Sequence, residues 1–157
     1  MRVVVNDNEA LKNSRLIAIH LALLTLRWME YWKRNVADYD SAMIALAVVA
    51  ISSERWTRAE LEPELRDLSR PLAPEYLNRC NLSSIAAATG LNRETTRRKV
   101  NALIAQGILA KDRDGVVGFA PGHGQKARTI ELVRKQLDSL SRTVDDLVRT
   151  EVLDLVA

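Results

Sequence analysis

The sequence predicts a mainly α protein organised around two short helices and a β-hairpin. Three observations lead there. Residues 82–119 read as helix, glycine turn, helix and hairpin. Apolar residues in the first seventy positions recur with helical rather than alternating period. The last thirty carry apolar residues at alternating spacings of three and four, the seam of a long helix. The expected organisation is a helical core and dimerisation subdomain over 1–70, a domain holding the two short helices and the hairpin over 71–122, and a C-terminal helix over 123–157.

Taken in order, Met1–Val5 fits either a short strand or an irregular start. Asn6, Asp7 or Asn8 offers an N-cap for a long helix from about Glu9 to Arg34. Leu16, Ile17, Leu23, Leu24 and Tyr31 give it a broad apolar stripe. Trp28 and Trp32, four residues apart, share a face and are expected to stack in a core or dimer interface. His20 has no second ligand at metal spacing and reads as a core-edge histidine. Asp40-Ser41 caps a second helix, Ala42 to about Arg55, so apolar from Met43 to Ile51 that it should be buried on several sides. Thr57-Arg58-Ala59-Glu60 has a capping-box pattern, with Pro63 limiting the helix that follows. Arg70-Pro71-Leu72-Ala73-Pro74 is a break, and Glu75–Cys80 is the expected first helix of the domain that follows it.

The central motif is defined by local signals. Ser83 is a plausible N-cap for a helix to Thr89, and Gly90 lies just past its end. Asn92 caps a second helix over 93–106, with Glu94 in its first turn and Gly107 as its stop. Ile108-Leu109 begins a strand, Asp114-Gly115 is a hairpin turn, and Val116–Phe119 returns, giving a wing over 109–119. This is the layout of a winged helix-turn-helix, whose second helix enters the DNA major groove. On that helix Thr96, Val100, Leu103, Ile104 and Gly107 fall on the inner side. Glu94, Thr95, Arg98, Asn101 and Ala102 fall outside, and Arg93 and Arg97 lie nearer the inner sector. Arg93, Arg97, Arg98 and Lys99 put four cations near a helix start, against the helix dipole, which points to a negative partner.

Gly90-Leu91-Asn92-Arg93-Glu94-Thr95-Thr96-Arg97-Arg98 resembles the turn and recognition helix of the catabolite activator (cyclic AMP receptor) family. The resemblance implies that Arg93 and Glu94 reach base edges and that Arg98 reaches a base or a phosphate. Arg can bind guanine O6 and N7 together, and Glu can accept from cytosine N4. Thr96 and Lys99 stand where that family has apolar residues, and nothing in the chain resembles its cyclic-nucleotide barrel.

Net charge is only +3, but it is unevenly placed. Residues 1–90 hold 11 basic and 11 acidic side chains, 91–128 hold 8 and 3, and 129–157 hold 4 and 6. The excess sits where a DNA-binding face requires it. The candidate contacts are Arg93, Glu94, Thr95, Arg97, Arg98 and Asn101, with wing residues Lys111 and Arg113 on the backbone or minor groove. His123, among glycines, is a loop residue or a phosphate contact.

After Pro121-Gly122-His123-Gly124 a helix is expected from Gln125 or Lys126 to Leu155. Its seam of Ile130, Val133, Leu137, Leu140, Val144 and Leu147 suits a two-helix contact. A homodimer through Leu137, Leu140, Val144 and Leu147, with the N-terminal helix as a further contributor, would match a palindromic DNA site. Packing of this helix on the chain's own N-terminal helices is the open alternative.

Lone Cys80 allows no intramolecular disulfide and no cysteine-based zinc site. The apolar runs 16–26 and 42–51 fall well short of a membrane span, and the start lacks a leader pattern. No phosphate loop, zinc spacing or serine elbow appears, so no cofactor, metal or catalysis is expected. The expectation is a cytoplasmic, nucleoid-associated bacterial transcriptional regulator that binds double-stranded DNA. The alternative is a winged-helix protein–protein interaction module, adaptor or antitoxin-like, without specific DNA binding.

Overall fold

The computed structural model describes residues 1–156, which are mainly helical and form two compact units. One unit is residues 1–31 with the chain from 132 onward; the other is residues 32–131. These divisions fall elsewhere than the expected boundaries after residues 70 and 122.

In the terminal unit, β1 (Arg2–Val5) pairs antiparallel with β4 (Leu153–Val156), Arg2 opposite Val156 and Val5 opposite Leu153. Three consecutive valines suit the extended conformation, although only Val4 is partly buried, and Leu153 and Leu155 alternate with Asp154 across from them. The expected helix end at 155 is thus corrected: α6 covers Ala127–Arg149, and left-handed Glu151 (φ 59°) turns the chain into β4. The helix expected over 9–34 is two. Asn6 caps α1 (Asp7–Lys12), Asn13 ends it by donating its side-chain amide to the Glu9 carbonyl, and α2 runs Ser14–Val36. Within this unit α2 and α6 pack in opposite directions. Trp28 Nε1 donates to Ser139 Oγ at 2.8 Å and to the Gln136 carbonyl at 3.2 Å. His20 Nδ1 lies 3.7 Å from Asp146 Oδ2, at the edge of the core as expected. No ring stacking joins Trp28 to Trp32 among the described residues.

The second unit is built on α3 (Tyr39–Ser53), which starts three residues earlier than the expected Ala42. Asp38 is its N-cap, Oδ1 accepting from Ser41 N at 2.8 Å. Ala42, Ile44, Ala45 and Val48 are fully buried, while Met43 and Val49 are exposed on the far side. Alanines on the inner face let α3 approach α4 (Leu82–Thr89), α5 (Arg93–Ala105) and strand β3 (Val117–Phe119) closely. Residues 54–76 then hold only short 3-10 turns at Glu54–Thr57, Pro63–Leu65 and Pro74–Tyr76. Neither the helix expected from Thr57 nor the one over 75–80 forms. Trp56 Nε1 caps this excursion by donating to the Tyr76 carbonyl. From Leu77 the chain runs extended: Asn78 N donates to the Ser52 carbonyl and the Cys80 carbonyl accepts from Val117 N. The third helix beside α4 and α5 is therefore α3, not residues 75–80.

Candidate nucleic-acid interface

The pair α4–α5 is set by its caps. Asn81, not Ser83, caps α4, in a reciprocal box in which Asn81 Oδ1 accepts from Ser84 N and Ser84 Oγ accepts from Asn81 N. Gly90 ends α4 in the left-handed region (φ 72°), where a side chain would be strained. Asn92 Oδ1 then accepts from Thr95 N at 2.7 Å to start α5. Thr96, Val100 and Leu103 are fully buried on the inner side of α5. Thr96 can occupy a core position because its hydroxyl donates to the Asn92 carbonyl at 3.0 Å. Ile104 is half-buried, but Gly107, expected inside, is exposed.

Outside, Arg93, Glu94, Arg97, Arg98 and Asn101 are exposed and Thr95 is half-buried. Arg93 and Arg97, placed nearer the core by helical angle, both reach solvent because they lie in the first turns. Arg97 and Glu94 hold each other through two bonds, Nε to Oε2 at 3.0 Å and Nη2 to Oε1 at 2.6 Å. That hydrogen bond and charge keep the Glu94 carboxyl below its ordinary range and raise Arg97. Lys99 turns away from this face. Its Nζ meets Asp38 Oδ2 at 2.7 Å with only 19% of the side chain exposed. Partial burial opposes the charge on Asp38, yet Lys99 and the Ser41 amide together hold its carboxyl below the usual range. Of the four cations at this helix start, two thus have internal partners. Arg93 and Arg98 have no ion pair among the described residues.

The hairpin of β2 (Leu109–Lys111) and β3 carries Lys111 and Arg113 exposed at and beyond its edge. Asp112 folds the turn, its Oδ1 accepting from Asp114 N at 2.9 Å and Val116 N at 2.8 Å. The apolar root, Leu109 and Val117, is buried. His123 stacks on Phe119 with ring centroids 5.4 Å apart, which ties this loop residue to the hairpin. Burial, and then Lys126 and Arg128, push its pKa down. Arg128 itself donates to the Arg34 carbonyl.

Sequence reasoning missed that Leu82 and Ser83 join Arg93, Glu94 and Arg97 around an open depression between the starts of α4 and α5. The Asn81-to-Ser84 spacing was the available signal, since it moves the cap to Asn81 and leaves Ser83 in the first turn. The partner of Lys99 lay beyond reach, because Asp38 is 61 positions away. No group of metal-ligating side chains occurs among the described residues, and no single helix there is long and apolar enough to cross a membrane. Compared with protein-family models, curated proteins and solved structures, the chain matches none.

Proposed function

We propose that this chain is a winged helix-turn-helix regulator that binds double-stranded DNA sequence-specifically as a homodimer. In this reading α5 enters the major groove and the β2–β3 hairpin lies on the backbone or minor groove. The observation that carries it is the first half of α5. Arg93 and Arg98 stand exposed there without ion pairs among the described residues, against the helix dipole, above an inner face that is fully packed. The resemblance of residues 90–98 to the catabolite activator recognition helix supports base contacts by Arg93 and Glu94. Lys111 and Arg113 would add phosphate contacts. Lys99, tied to Asp38, is not among the proposed contacts.

Selection of bound duplexes from a random pool at near-physiological salt, followed by sequencing, tests this. The expected result is an enriched inverted repeat with half-sites related by whole helical turns. Weak, unselective binding that vanishes as salt rises would reject it and favour the protein-interaction alternative.

A further inference from the structure

Helix α6 is built the wrong way round for a chain that stands alone. Toward α2 it buries hydroxyls, Ser139 at 0% and Thr143 at 5% exposure, with Leu132 and Leu147 at either end. Toward solvent it shows Ile130 at 42%, Val133 at 50%, Leu137 at 57% and Leu140 at 37%. A solitary amphipathic helix would reverse that choice. The same imbalance runs through α2, where Leu24 is buried but Ile19, Leu21, Leu23 and Leu26 are exposed. The buried apolar residues of the terminal unit are few, Leu24, Leu132, Leu147 and Val152. So small a core seldom holds a fold of this size by itself.

We propose that a second copy of this chain covers α6, through an antiparallel pairing of α6 with its two-fold mate, and that the terminal unit is stable only in that dimer. Three observations select a second copy. The exposed row is uncharged, so it offers nothing to a charged ligand or a nucleic acid. Its centre is palindromic: Val133 and Leu137 read one way, and half-buried Val144 and exposed Leu140 the other. A two-fold axis between Asp138 and Ser139 therefore sets Leu137 against the partner's Leu140 and Val133 against the partner's Val144, like sizes meeting like. Third, Ile130, Val133, Leu137 and Leu140, 37–57% exposed, form one row along α6, the kind of seam that a two-helix contact buries. Beside the row, Arg134 and Asp138 neutralise each other along the helix at 3.0 Å. Leu147, expected in the seam, is instead spent inside the protomer. This proposal specifies the dimer assumed in the functional reading but does not depend on DNA binding.

The chain, without DNA, is examined by sedimentation and by urea unfolding across a concentration series of roughly 1 to 100 µM. The expected result is a dimer whose unfolding midpoint rises with concentration. A monomer with a concentration-independent midpoint overturns the proposal. Orientation is read from spin-label distances at Arg142→Cys and, separately, Arg149→Cys; buried Cys80 does not compete for the label. Both sites are on the exposed side of α6. Antiparallel pairing puts the two labels at 149 about 20 Å farther apart than those at 142, at 1.5 Å of rise per residue on each helix. Equal separations in a dimer overturn the antiparallel pairing. Leu137→Glu is expected to abolish the dimer, and the label distances need no such disruptive variant. Failure of the duplex selection would leave all these readings standing.

Discussion

Arg98 and Arg97 stand next to each other on α5 in different electrostatic circumstances. Arg98 is exposed with no ion pair among the described residues, whereas Arg97 is held by Glu94. In the proposed reading Arg98→Ala should weaken binding to the selected site by ~1–3 kcal/mol and leave scrambled duplexes less affected. Titrations on both duplexes check this, and equal losses would mark a phosphate contact instead. Glu94→Gln should act in the opposite sense on unselective binding. It releases Arg97 to a phosphate, so affinity for scrambled DNA should rise and log K should fall more steeply with log salt, by about one contact. Discrimination between sites should drop in the same variant. The charge pattern was legible at this scale because it lies within one helix. What each cation does was not, because the pairing of Arg97 with Glu94 depends on rotamers and that of Lys99 on the distant Asp38.

Between elements, the Asp38–Lys99 pair ties α5 to the start of α3. Asp38 has a lowered folded-state pKa, so its contribution is present above the ordinary carboxylate range and is lost as pH falls through the folded value. Asp38→Asn keeps a capping side chain but removes the charge. Because 44% of the Asp38 side chain is exposed, screening limits the effect to about 0.5–1 kcal/mol at neutral pH. Urea midpoints of the two proteins should converge as the buffer is taken to acid pH; a gap that persists there would assign the effect to the cap instead. Gly90→Ala places a side chain in the left-handed region with open space around it, so only backbone strain is added. The expected loss is about 1 kcal/mol, read from the same unfolding curves. Helices α4 and α5 and their turn could be read from sequence because caps and glycines act over a few residues. The part played by α3 could not, since an apolar run says that a helix is buried and not against what. Residues 75–80, after Pro74, looked helical by position, but from Leu77 they run extended and the Cys80 carbonyl accepts from Val117 N of β3.

For the molecule as a whole, the sequence conveyed helical content and a basic middle but not how its two ends come together. Its first and last segments belong to one unit, joined by a strand pairing that no local pattern announces. The heptad seam was legible and its orientation was not: spacing identifies an apolar row on α6, while only packing reveals that α2 takes the neighbouring, hydroxyl-bearing side. That pairing also orders events in time. Residues 32–131 can assemble as soon as they leave the ribosome, but β1 has no neighbour until β4, at the opposite end of the chain, has been made. Closing so long a loop is slow compared with local helix formation. Single-tryptophan variants should separate the two stages on refolding, with Trp56 reporting the early unit and Trp28 the late one. Coincident signals would mean that the chain folds as one cooperative body. Until the last residues are in place, the valine edge of β1 stands open, and a nascent or truncated chain carries its aggregation hazard there.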